Sequence, residues 1–165
     1  MKRDLQRLLV DVKIARGKIR LWQNRLSARA EQFKRLSANN ATKFATLAEQ
    51  YAKESEQLEN ILNYMDRLDV LLEMVELKLE TLVYIDYVSQ DMVNLIEALR
   101  EFRRVTPLLS TELSMLLDEL YSGFYASVEV PEPMRIRARE EAKTILKESE
   151  NIVNSRNKTK VGAQA

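Results

Sequence analysis

The chain has 165 residues, with 26 Lys and Arg against 25 Asp and Glu, no Cys, no His, and only three Gly and three Pro. The missing thiol and imidazole remove disulfides, the usual zinc ligands and the commonest general base, and so little turn chemistry argues against an all-β fold. Hydrophobic residues at 45% and charged residues at 31% suit helices with a narrow apolar stripe and wide charged faces, and no set of carboxylates is arranged for catalysis, a metal or a cofactor. No apolar run approaches the roughly 20 residues needed to span a bilayer. Met1 to Val12 does not read as a secretory signal, so the expected location is cytoplasmic.

From Leu5 the apolar positions fall three and four apart: Leu5, Leu8, Val12, Ala15, Ile19, Trp22 and Leu26, then Phe33 and Leu36, with Arg29 out of character between them. This heptad seam predicts a long helix packed on another. Gly17 weakens it by on the order of 1 kcal/mol relative to Ala. "SANN", Ser37 to Asn40, supplies a polar break and the cap of a new helix. The seam restarts through Phe44, Leu47, Tyr51, Glu54, Leu58, Ile61, Met65, Leu68, Leu72, Val75, Leu79 and Leu82. It then slips, because Asp86 and Ser89 would fall in the core. The apolar row continues instead through Ile85, Val88, Met92, Leu95, Leu99 and Phe102. Two successive three-residue steps make a stammer, which overwinds a coiled coil. No Gly or Pro interrupts Ala41 to Arg104, so a continuous helix about 95 Å long is expected there.

"VTPLL" ends that helix, with Thr106 as the N-cap and Pro107 at the first position of a shorter one. The shorter helix carries Leu109, Leu113, Leu116, Leu117, Leu120 and Phe124. "VEVPEP", Val128 to Pro133, reads as a linker that cannot be helical. A last amphipathic helix is expected from Met134 to Arg156, followed by a disordered polar tail. The expected fold is therefore all-α: a long antiparallel helical hairpin followed by shorter C-terminal helices. Its organisation is a hairpin core plus short third helix over 1–127, a linker over 128–133, an amphipathic helix over 134–156 and a tail over 157–165.

The charges are segregated. Met1 to Arg35 holds eleven basic residues and three acids, whereas Leu36 to Arg100 holds five basic residues and twelve acids. In the first helix Lys13, Arg20 and Lys34 share one column, with Arg7 and Arg35 beside it; Lys18 and Arg25 flank the seam on one side and Arg16 on the other. In the second, Glu59, Asp66, Glu73 and Glu80 repeat every seven residues and are expected to face away from the seam. Solvated faces are the ordinary reading of such runs. Two long opposite columns in one chain point instead to a partner outside the hairpin, either an anionic membrane or the acidic column of a neighbouring subunit. Leu5, Leu8, Leu9 and Val12 either continue the seam or form a shallow membrane wedge.

The first helix is too short to cover the apolar row beyond Leu79. The segment Leu82, Ile85, Val88, Met92, Leu95, Leu99 and Phe102 is therefore expected to be covered by the later helices folding back or by a second molecule. This makes it a candidate polymer or autoinhibitory interface.

In this order, a basic first helix, a polar turn, a long acidic helix with "LEMVELKLET" (Leu72 to Thr81) and the proline-started "VTPLLSTELSMLLDEL" resemble the ESCRT-III family, in its archaeal cell-division, CdvB-like branch. The likeness covers about Lys13 to Val153. No winged-helix domain follows, so the chain resembles a shorter paralogue. The resemblance implies a non-catalytic scaffold that self-assembles into membrane-remodelling filaments, alone or with paralogous subunits, on the inner membrane face at the division site. It also implies a AAA ATPase acting on the C-terminal region, although "VPEPM" departs from the family's proline-rich docking motif. The alternatives are a coiled-coil adaptor or dimerisation rod with no lipid dependence, and a scaffold like phage shock protein A. Mixed overall charge and an acidic partner helix argue against nucleic-acid binding.

Overall fold

The computed structural model describes the backbone of residues 2–85, 87–106 and 110–164 and, within those stretches, the side chains of residues 4–159. The described residues form five helices: α1 (Lys2–Asn40), α2 (Ala45–Ile85), α3 (Gln90–Val105), α4 (Thr111–Ser127) and α5 (Glu132–Gln164). They fall into two compact units, a two-helix unit of Gly17–Asp66 and a five-helix unit of Met1–Arg16 with Arg67–Ala165. The fold is all-α.

In the two-helix unit α1 and α2 run antiparallel, and small residues set the contact. Ala30, Ala48 and Ser55 are buried, and the Ser55 hydroxyl donates to the Ala30 carbonyl at 3.1 Å. Arg29 and Glu54, which the strict heptad places in the seam, are exposed, as are Phe44 and Leu47. The row steps by four residues there, from Leu26 to Ala30 and from Tyr51 to Ser55. A 3.6-residue helix drifts against a 3.5-residue repeat, and a four-residue step swaps a charged side chain for a small one. The turn lies at 41–43 rather than at "SANN", because α1 continues through Asn40. The Asn40 side chain donates back to the Leu36 carbonyl at 2.7 Å.

In the five-helix unit the seam of Leu5, Leu8, Val12 and Ala15 against Leu68, Leu72, Val75, Leu79 and Leu82 is fully buried. The long continuous second helix is not observed. α2 ends at Ile85, residues 87–89 are not helical, and Asp86 lies outside the described residues. β-branched and aromatic residues fill this stretch (Val83, Tyr84, Ile85, Tyr87, Val88), and they hold a helix weakly. Ser89 then starts α3 as an N-cap, its hydroxyl accepting from the Met92 N–H at 3.2 Å. The stammer resolves as a break instead of an overwound coil.

α3 packs on α4 and α5. Thr106 is the C-cap of α3 rather than the N-cap of α4. That role falls to Ser110, which accepts from the Leu113 N–H at 3.2 Å; Pro107 and Leu109 lie outside the described residues. Gly123 lets α4 approach α1, since a Cβ there would lie 3.3 Å from Leu8 Cδ1. The connection to α5 is shorter than the proline spacing suggests. The Pro131 carbonyl accepts from the Met134 and Arg135 N–H groups, and Pro133 sits in the first turn, where a missing N–H costs nothing.

Candidate functional site

The expectation that the two charge columns point away from the hairpin fails for Lys13, Lys34 and the acidic column, whereas Arg20 stays exposed. In the two-helix unit Lys34 Nζ meets Glu59 at 2.6 Å, and Gln23 donates to Asp66 at 2.7 Å. In the five-helix unit Lys13 meets Glu80 at 3.8 Å. Arg16 faces Asp69 at 2.9 Å, Glu76 at 2.6 Å and Glu73 at 3.9 Å. Columns beside a heptad seam are flanking positions whose long side chains reach the facing helix. Spacing gives a column's period but not the rotation of its helix.

These contacts differ in worth. The Lys34 and Glu59 side chains are about half exposed, so the pair contributes about 0–1 kcal/mol. Glu59 also holds the Lys34 ammonium above its ordinary pKa, chiefly by hydrogen bonding. Arg16 has only 14% of its side chain exposed. The hydrogen bond to Asp69 is the largest influence raising its pKa, followed by burial, which opposes it, and the hydrogen bond to Glu76.

Other basic residues stay on the surface. Arg7, Arg20, Arg25 and Arg35 are exposed and make no ion pair among the described residues, and Lys18 is exposed beside them. Exposed apolar side chains also lie on α1: Val10 and Ile14 in the five-helix unit and Leu21 in the two-helix unit are each about half exposed. Leu5, Leu8 and Val12 are buried, so they serve the seam and are not available as a membrane wedge. Trp22 is half-buried, in keeping with its seam position.

The apolar row is divided by the break. Leu82 is buried, Ile85 is 61% exposed and Val88 is half-buried, whereas Met92, Leu95, Leu99 and Phe102 are buried. Leu113, Leu117, Leu120 and Phe124 of α4 are buried as well, whereas Leu116 is half-buried. The chain itself thus covers the α3 part of the row.

Within this apolar packing sits one carboxylate that lies outside the heptad seam. Glu97 on α3 is 2% exposed and accepts from the Tyr121 hydroxyl at 3.0 Å and the Tyr125 hydroxyl at 2.9 Å, both on α4. From α5, Arg139 Nε lies 3.9 Å from it, and the Arg135 guanidinium stacks 4.1 Å from the centre of the Tyr125 ring. Burial, with the Glu97 hydrogen bond second, pushes the Tyr125 phenol well above its ordinary pKa. The arrangement ties three helices through one acid. The sequence signal was a lone Glu in "MVNLIEAL", a stretch apolar on nearly every face.

Among the described residues, no group of three or more acidic side chains is placed to hold a metal ion, and no helix is long and apolar enough to cross a membrane.

No family model matches the sequence, and no solved structure matches it. Cell division protein B3 of Sulfolobus acidocaldarius is 32% identical over 155 residues, which covers 92% of this chain and 91% of that protein. Identity of this extent spans all five helices and the breaks between them, and it places the chain in the archaeal CdvB-like branch of the ESCRT-III family.

Proposed function

We propose that this chain is a non-catalytic scaffold of archaeal cell division that self-assembles into filaments on the inner face of the membrane and remodels it. The observation that carries this reading is the near-full-length identity to a cell division protein. The surface of α1 supports the membrane part, because Arg7, Arg20, Arg25 and Arg35 are exposed and make no ion pair among the described residues. The covered α3 row supports an autoinhibitory role for Met92, Leu95, Leu99 and Phe102 in the subunit before assembly. The reading includes paralogous subunits as partners and a AAA ATPase acting on the C-terminal region.

Co-sedimentation with vesicles, together with negative-stain microscopy, tests it. Basic residues near an anionic surface contribute about 1 kcal/mol each. Replacing Arg20 and Arg35 by Gln is therefore expected to weaken binding to anionic vesicles by about thirtyfold. Binding of the parent protein falls as salt rises. Equal binding to neutral and anionic vesicles removes the electrostatic lipid face, and absence of filaments under all lipid conditions removes the scaffold reading.

A further inference from the structure

In the five-helix unit the last two turns of α3 and the facing side of α4 enclose a hollow of about 370 Å³. Small-molecule sites are typically about 300–1,000 Å³. Part of its lining is apolar: Leu99 and Leu117 are buried, and the Tyr121 ring is half-buried. The ring is held from its far end, since the Tyr121 hydroxyl donates to Glu97 at 3.0 Å and accepts from Arg135 at 3.4 Å.

The rest of the lining is basic. Arg100, Arg103 and Arg104 face Asp118, the one carboxylate among the described lining residues. Their spacing puts all three on one side of α3, where like charges repel. Their present partners hold them loosely. Arg103 and Asp118 meet at 2.7 Å with both side chains about half exposed. Arg104 is mostly exposed and paired with Glu101 of its own helix. Arg100 lies 3.8 Å from Glu97, which also serves the two tyrosines. Exposed pairs of this kind are weak and give way to an incoming anion. The end of a helix favours positive charge, which accounts for Arg103 and Arg104 in the last turn of α3 but not for an apolar hollow beside them.

We infer that the hollow between α3 and α4 binds a nucleoside polyphosphate, with its phosphates on Arg103 and Arg104 and its base against Tyr121, Leu99 and Leu117. Guanidinium forks match phosphate oxygens in pairs and hold them through charge-assisted hydrogen bonds. Bases stack on aromatic rings and on guanidinium planes. Arg100, whose guanidinium lies 5.9 Å from the centre of the Tyr121 ring, offers such a plane at the same place. An inorganic anion uses only the basic part of the lining, whereas a nucleotide uses the apolar part as well. A ligand seated there touches both helices and therefore stabilises the packed pair of α3 and α4.

The test measures binding of ATP to the full chain by equilibrium dialysis, without lipid, and the accompanying rise in Tm. Arg103→Gln and Arg104→Gln are each expected to weaken ATP binding by about tenfold. Helix content stays unchanged, because both side chains are exposed and Arg104 pairs within its own helix. Arg156→Gln, an exposed change far along α5, is expected to bind like the parent. Inorganic tripolyphosphate, which has the phosphates but no base, is expected to bind about tenfold more weakly than ATP. A parent protein that does not bind ATP overturns the inference, as do Arg103 and Arg104 variants that bind it unchanged. Equal weakening by Arg156→Gln makes the attraction one of diffuse charge and overturns the site. Tripolyphosphate that binds as tightly as ATP leaves the apolar lining without a role and overturns the nucleotide assignment. If Arg103→Gln and Arg104→Gln lose anionic vesicles while ATP binding is unchanged, the arginines serve lipid and the inference is wrong.

Discussion

Replacing Glu97 by Ala removes the acceptor shared by Tyr121 and Tyr125. A hydrogen bond to a charged group is worth about 1.5–3 kcal/mol, so two bonds represent about 3–6 kcal/mol. Removal also relieves the cost of keeping a carboxylate away from water, which brings the expected net loss to the lower end, about 3 kcal/mol. Arg139 and Arg100, at 3.9 and 3.8 Å and about half exposed, add little. For a chain of this length the loss corresponds to a fall of about 6–12 °C in Tm, read by circular dichroism. Glu97→Gln keeps the shape and one acceptor oxygen but loses the charge, and is expected to cost about half as much. The pH dependence has a definite sign. Tyr125 has its folded pKa raised above the ordinary value of 10, so its contribution is complete below pH 10 and is lost as pH rises through the folded value. Tyr125→Phe removes that part of the alkaline decline. If Glu97→Ala melts within about 2 °C of the parent, the two tyrosines do not depend on the carboxylate and the latch has no energetic content.

Three further substitutions test the fold. Gly17→Ala is expected to raise stability by about 1 kcal/mol, since a Cβ there meets nothing within 4 Å; a lowered Tm counts against an unstrained helix at this position. Arg16→Lys is expected to cost about 1–3 kcal/mol by losing the fork that reaches Asp69 and Glu76 together, and a Lys variant that melts like the parent makes those contacts ornamental. Ser89→Ala should lower Tm through loss of about 1 kcal/mol of capping, with Ser89→Asp restoring it; if Ala is neutral, the hydroxyl does not set the start of α3.

The apolar period alone made much of the fold legible. The seam of Leu5, Leu8, Val12 and Ala15 was readable because buried positions recur at helical spacing, and so was the existence of α4 and α5, but not their bounds: Ser110 rather than Thr106 caps α4, and α5 runs from Glu132, inside the expected linker, to Gln164, through the expected polar tail. The α2–α3 break was visible only as a slip at Asp86 and Ser89. A strict repeat has no means of choosing between overwinding and breaking, and low helix propensity over Val83 to Val88 decided it. The choice of Arg29 and Glu54 over Ala30 and Ser55 had the same origin: small residues contribute little to an apolar pattern yet permit the closest helix approach. The charge columns were legible as columns, but their partners were not, because which flank faces the other helix depends on rotation about the axis. Glu97 was hidden because a lone acid in the apolar stretch MVNLIEAL does not name its partners, which come from α4 and α5.

Three carboxylates around one guanidinium give the Arg16 site a thermal character that a simple pair lacks. Hydration of charged groups becomes less favourable on heating, so the cost of taking such a cluster partly out of water shrinks as temperature rises, while the stabilisation from apolar contact levels off. Lys53 and Glu49, one turn apart on the open surface of α2 with side chains about two-thirds exposed, are never far from water and gain little by this route. Asp69, Glu73 and Glu76 span two turns of α2 and converge on a side chain that is mostly enclosed. Relative to the Leu and Val contacts beside it, this fastening therefore tightens in heat and slackens in the cold.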